Sequence, residues 1–167
     1  GNAAAAVVLP GTGYGRTGRP ASPASDTPQN PSAAARHTGP MHHPFAELIG
    51  LQTLERRPGY CECRLTVASS HLNPNGVVHG AVLFAMADIG MGGVVQPSLP
   101  EGEICATVEI KINYFKPVQS GELRCITRIV NRGKTLANLD SEIFCADVLV
   151  AKANGTYAIF RPRGATN

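Results

Sequence analysis

Hydrophobic positions crowd most densely over residues 76–95, GVVHGAVLFAMADIGMGGVV, where Asp88 is the one formally charged residue. Wound at 3.6 residues per turn, the apolar side chains cover every side, which predicts a helix buried all round. Val82, Leu83, Met86 and Gly90 form one face of it. Asp88 stands opposite, flanked by Ala81, Ala85 and Gly92, which leave room beside the carboxylate. Elsewhere the period is two, the mark of half-buried strands. Residues 60–69 set Cys61, Cys63, Leu65 and Val67 against Tyr60, Glu62, Arg64 and Thr66. Residues 104–115 set Ile104, Ala106, Val108, Ile110, Ile112 and Tyr114 against Thr107, Glu109, Lys111 and Asn113. Three more strands are predicted over 122–131, 134–144 and 147–160, and a short helix over 43–50, with Pro44 in its first turn and Gly50 as its stop. Asn154-Gly155 has hairpin chemistry, yet only five residues remain to pair back, so a bulge in a long final strand is expected.

Short connections make the consecutive strands antiparallel, and one sheet with a helix on its face is an α+β design. A helix apolar on every side needs more than one sheet face. Either the sheet curls around it or a second subunit closes the remainder.

Composition divides the chain. Residues 1–40 are rich in Ala, Gly, Pro, Ser and Thr, with almost no large apolar residue after Leu9. Such a segment buries too little surface to offset its ordering entropy and is expected to be disordered, leaving 41–167 as the folded domain. Met41 is a candidate start. No secretory signal shows, because the apolar run 3–9 is short and no basic residue precedes it; Arg16, Arg19 and Arg36 against Asp26 leave a transit peptide open. Gly13 to Gly18 spell G-x-G-x-x-G, but no strand precedes them and Arg19-Pro20 follow, so no dinucleotide site is read there. From Met41 onward 12 basic and 11 acidic residues give a net charge of +1, no electrostatic case for nucleic acid or an anionic membrane. Asp88 and the interrupting glycines argue against a membrane span. Five cysteines, odd in number and without a C-x-x-C pair, read as reduced thiols of a cytoplasmic protein rather than a metal site.

The chemistry concentrates on the long helix. A buried carboxylate costs several kcal/mol unless something pairs with it or uses it, which makes Asp88 the leading site residue. His79-Gly80 opens the helix, where free backbone N–H groups carry partial positive charge and Gly80 permits close approach of a carbonyl oxygen. Gly80 and Asp88 lie roughly 12 Å apart along the axis at 1.5 Å per residue, too far for one reacting centre. A second copy of the helix running antiparallel would bring Asp88 of one subunit to Gly80 of the other, a twofold dimer with two composite sites.

His71-x-Asn73-x-x-Gly76-x-x-His79-Gly80, followed by Asp88, resembles the signature of the hotdog-fold acyl-CoA thioesterases, specifically the phenylacetate-pathway (PaaI-like) group. Residues 44–51, 110–117 (IKINYFKP) and 132–137 (RGKTLA) are similar to further motifs of that group, and the likeness covers about 43 to 162. It implies a long helix wrapped by an antiparallel sheet, in dimers and possible dimers of dimers, with sites across the interface. On this resemblance Asp88 activates water or attacks the thioester carbon. The Gly80 N–H holds the thioester oxygen with help from Asn73, Thr107 helps hold the water, and His79 orients its neighbours. Arg132, Lys134 and Lys116 are the implied partners of the coenzyme A phosphates. Neither metal nor separate cofactor is implied. Relatives commonly read His-Gly-Gly, whereas Ala81 replaces the second Gly here. Two other readings of the same fold stay open: a non-catalytic acyl-CoA-binding module, and a dehydratase or hydratase acting on acyl-CoA.

Overall fold

The computed structural model describes residues 42–162, so the low-complexity segment before Met41 and its 13–18 glycine string lie outside the described residues. Pro44–Leu48 forms helix α1, with Pro44 at a position whose N–H would be unpaired anyway and His43 Nδ1 accepting from the Ala46 N–H at 3.2 Å. The strands β1 (Leu51–Arg57) and β2 (Tyr60–Thr66) follow, then helix α2 (Gly80–Val95). The chain closes with β3 (Ile104–Tyr114), β4 (Glu122–Arg132), β5 (Leu136–Cys145) and β6 (Val148–Phe160). All six strands form one antiparallel sheet in the order β1-β2-β4-β5-β6-β3, and α2 touches every one of them. The α+β expectation, with a sheet wrapped around one long helix, holds.

One strand escaped the pattern. In β1 only Leu51 is buried, and a bulge at Leu54 (Thr53 opposes Cys63, but Glu55 opposes Glu62) breaks the alternation. The register slips by one residue in three more places, leaving an extra Val108 on β3, Val130 on β4 and Val150 on β6. A bulge does fall in the final strand, at Val150 rather than at Asn154-Gly155, which β6 passes straight through.

The bulge at Val108 corrects the predicted faces of β3. Thr107 opposes Tyr157 and Ile110 opposes Gly155, while Glu109 opposes Thr156. Directly opposed residues share a face, so Thr107 lies on the side of Ile110 and Ile112, toward α2. The single inserted residue changes the phase of the strand and re-aims the hydroxyl.

Leu83, Met86, Ala87, Met91, Val94 and Val95 bury one side of α2 against Leu65, Leu123, Leu139 and Ile143 of the sheet. Each large side chain so buried contributes about 1.5–3 kcal/mol, which makes this row the main attachment of the helix. The glycines of α2 serve the same packing. A Cβ at Gly90 would stand 2.5 Å from Thr127 Oγ1, one at Gly93 3.0 Å from Cys61 Sγ, and one at Gly92 4.0 Å from the Tyr157 ring. The helix is not buried all round within the chain. Ala81 and Phe84 are exposed and Asp88 is half-buried, at the i, i+3, i+7 spacing of a single stripe. The outer edge of β3, an end strand of the sheet, is unpaired among the described residues, and Val108 on it is 60% exposed.

Candidate functional site

Asp88 is not an idle carboxylate. Its Oδ1 accepts the Thr107 hydroxyl of β3 at 2.9 Å and the Tyr157 hydroxyl of β6 at 2.5 Å. The Tyr157 hydroxyl also lies 2.8 Å from the main-chain oxygen of Asp88. The Thr107–Tyr157 register pair puts both donors on the face that meets the third turn of α2. Two hydroxyl donors meet the cost of burying half of a charged group. Burial, then the hydrogen bond to Asp88, push the Tyr157 phenol far above its ordinary value, so it stays a neutral donor.

A cavity of about 420 Å³ opens beside this group. Asp88, Thr107, Tyr157 and Cys105 line one part; Phe45, Ile89, Leu99 and Ile104 supply apolar wall. Burial raises the Cys105 thiol, with the nearby Arg132 charge pulling against it. The five cysteines are free thiols, and among the described residues no cluster of His, Cys, Asp and Glu could hold a metal ion.

Gly80 belongs to a second cavity, of about 360 Å³, which it shares with Leu83, Tyr114 and Lys116. As the first helical residue, Gly80 has no carbonyl four positions back inside the helix to receive its N–H. Its own carbonyl accepts the Tyr114 hydroxyl at 3.1 Å, and the Tyr114 ring lies 3.1–3.4 Å from where a Cβ would stand. His79 caps the helix through Nδ1, which accepts from the Ala81 N–H at 3.0 Å, and its main-chain N–H donates to the His71 carbonyl at 2.8 Å.

The chain therefore brings Asp88 and Thr107 together and keeps Gly80 and His79 apart from them, about two helical turns away. The Asn73 side-chain oxygen is spent on its own loop, accepting from the N–H groups of Asn75 at 2.9 Å and Val77 at 3.4 Å. Lys116 lines the Gly80 cavity, and Lys134 is exposed on the β4–β5 connection. Arg132, paired with the buried Ala137, is turned inward by the Val130 bulge. Its Nη1 donates to the Gly133 carbonyl, while its Nε is buried without a partner. Tyr157 was missed by sequence reasoning. It reads as one more apolar position in a core strand, and only the β3–β6 register connects it to a residue 69 positions earlier.

The sequence profile of the thioesterase superfamily matches residues 75–152. A curated protein of Archaeoglobus fulgidus, whose name assigns it provisionally to the esterases, is 32% identical over 112 residues, 66% of this chain and 71% of the relative. The chain belongs to the thioesterase superfamily. Acyl-coenzyme A thioesterase 13 of Pongo abelii is 30% identical over 95 residues, 56% of this chain and 67% of that protein. Among solved structures, a conserved protein of Pseudomonas aeruginosa superposes with a TM-score of 0.69 at 36% identity, covering 72% of this chain and 96% of its own. A mutant of the phenylacetic acid degradation protein PaaI of Thermus thermophilus superposes with a TM-score of 0.66 at 27% identity, covering 72% and 100%. These likenesses make the six-stranded sheet around α2 a hotdog fold.

Proposed function

We propose that this thioesterase-superfamily protein hydrolyses acyl-CoA thioesters in composite sites of a homodimer, with Asp88 as the acting carboxylate. The observation that carries this reading is a half-buried carboxylate held by two hydroxyls at the edge of a largely apolar cavity. That cavity takes the acyl group. Asp88 either draws a proton from water as the water oxygen attacks the thioester carbon, or attacks that carbon itself and is freed by water. The C–S bond then breaks and coenzyme A leaves as the thiol. The Gly80 N–H of the partner subunit holds the developing oxyanion, as first-turn N–H groups suit negative charge. Asn73 and His79 keep the loop before the helix in shape, while Lys116, Arg132 and Lys134 meet the phosphates of coenzyme A. The protein uses no metal and no cofactor beyond the substrate's own coenzyme A, and it works in the cytoplasm.

Two surface features support the dimer: the stripe Ala81–Phe84–Asp88 left open on α2, and the unpaired edge of β3. Dimers could pair again into tetramers by the same twofold logic. The test is release of free thiol from a panel of aliphatic and aryl acyl-CoA esters by the wild type and by Asp88→Asn. Hydrolysis that the substitution reduces by at least about 10³-fold, with the oligomeric state unchanged, is expected. Undiminished thiol release by the variant would remove Asp88 from the chemistry. Binding without thiol release by the wild type would make the protein an acyl-CoA-binding module.

A further inference from the structure

We propose that Tyr157, acting with Thr107, is a positioning residue that clamps Asp88 by one oxygen and reserves the other, Oδ2, for the reaction. The inference rests on the reading of Asp88 as the acting carboxylate. It concerns a residue beyond the 75–152 segment that matches the superfamily.

Both donors converge on Oδ1, and among the described residues Oδ2 receives none. A carboxylate held at one oxygen by hydroxyls from two neighbouring strands is restrained in rotation about its last bond. Asp88 lines the 420 Å³ cavity, and Oδ2 is the oxygen left without a donor to act there. Tyr157 adds a constraint that Thr107 cannot. Its hydroxyl reaches the main-chain oxygen of Asp88 at 2.8 Å as well as Oδ1 at 2.5 Å, so it ties the side chain to its own stretch of helix. A phenol has one hydrogen to give. While Oδ1 carries charge the hydrogen belongs there, because bonds to an ionised acceptor are the stronger ones. When the carboxylate is neutral, as a protonated acid or an acyl anhydride, the main-chain oxygen stands ready to take the same hydrogen. The donor thus follows the charge through the cycle without moving its ring.

The ring is fixed. Tyr157 is 3% exposed, and the absence of a side chain at Gly92 admits its edge beside α2. Its partner across the strands, Thr107, is aimed at the same oxygen by the Val108 bulge. Packing and register therefore deliver two hydroxyls from different strands to one atom, and a displacement of about 1 Å at such an atom costs on the order of 100-fold in rate.

The decisive variant is Tyr157→Phe, which keeps the ring and removes the hydroxyl. The expected result is a fall in kcat of about 10- to 100-fold with KM within about twofold of wild type, since the lost hydroxyl is bonded to the carboxylate and the ring that lines the cavity is kept. A merely structural role would leave kcat unchanged or raise KM in step with its fall, and either outcome overturns the proposal. Should Tyr157→Phe fail to fold, Thr107→Val and Thr107→Ser apply the same test to the same oxygen. The valine variant should lose kcat and the serine variant should recover it, and equal rates for the two would overturn the clamp. Asp88→Asn separates the levels: an active Asp88→Asn enzyme condemns the reading of Asp88, whereas an inactive one beside a fully active Tyr157→Phe condemns the clamp alone.

Discussion

Met91 fills the space that a side chain at position 155 would occupy. A Cβ on Gly155 would stand 2.7 Å from Met91 Sδ, 3.0 Å from the Glu109 carbonyl oxygen and 3.1 Å from Ile110 Cγ1. The helix is seated on β6 at this glycine: Met91 lies three residues after Asp88, and Gly155 two before Tyr157. Gly155→Ala should therefore destabilise the fold by about 1–3 kcal/mol through overpacking, read as a lower denaturation midpoint with an unchanged slope. Because the seat lies beside the clamp, kcat should fall as well. A variant as stable and active as wild type would mean that α2 is held elsewhere.

The β5–β6 hairpin turns on two residues with positive φ, Ala146 at 46° and Asp147 at 62°. That is the twist the flanking strands require, but alanine pays about 1 kcal/mol to adopt it. Ala146→Asn should raise the thermal midpoint by a few degrees without touching activity. An unchanged or lower midpoint would show that the left-handed conformation at 146 is not strained.

Alkaline pH should unfold the protein through its buried thiols. Burial pushes the Cys125 thiol from 9.0 up to about 12. A folded-state value above the unfolded one favours the fold while both states are protonated. The contribution is thus complete below about pH 9, where the unfolded thiol begins to ionise, and is lost as pH rises toward 12. Cys125→Ala should lower stability at neutral pH by leaving a small void and should flatten the decline between pH 9 and 12. Thermal midpoints of both proteins across that range decide it, and parallel curves would exclude Cys125.

The long apolar stretch, its lone acid and the two-residue period of five strands were legible because each is written in consecutive residues. Asp88 stood out by the cost of burying it, and Gly80 by its place at a helix start. What stayed hidden depends on register. The bulge at Val108 turns Thr107 from the face of Glu109 to the face of Ile110, and no local pattern announces one unpaired valine. Tyr157 looks like core until β3 lies beside β6. The polar run of β1 becomes a strand only because β2 offers it an edge. Asn154-Gly155 spelled a turn for an opposite reason: the glycine is there for Met91, not for a reversal of the chain.

The composite site is tested most directly by mixing two inactive enzymes. Asp88→Asn removes the acting carboxylate. Gly80→Pro removes the helix-start N–H at the one helical position where proline is well tolerated, asking only that the Tyr114 ring give way slightly. Each homodimer should be inactive in thiol release. In a mixed dimer one site inherits both defects and the other inherits none. Random re-pairing makes half of the dimers mixed, so activity should return to about a quarter of wild type. Mixed dimers verified by mass spectrometry that release no more thiol than their parents would contradict a site shared between subunits.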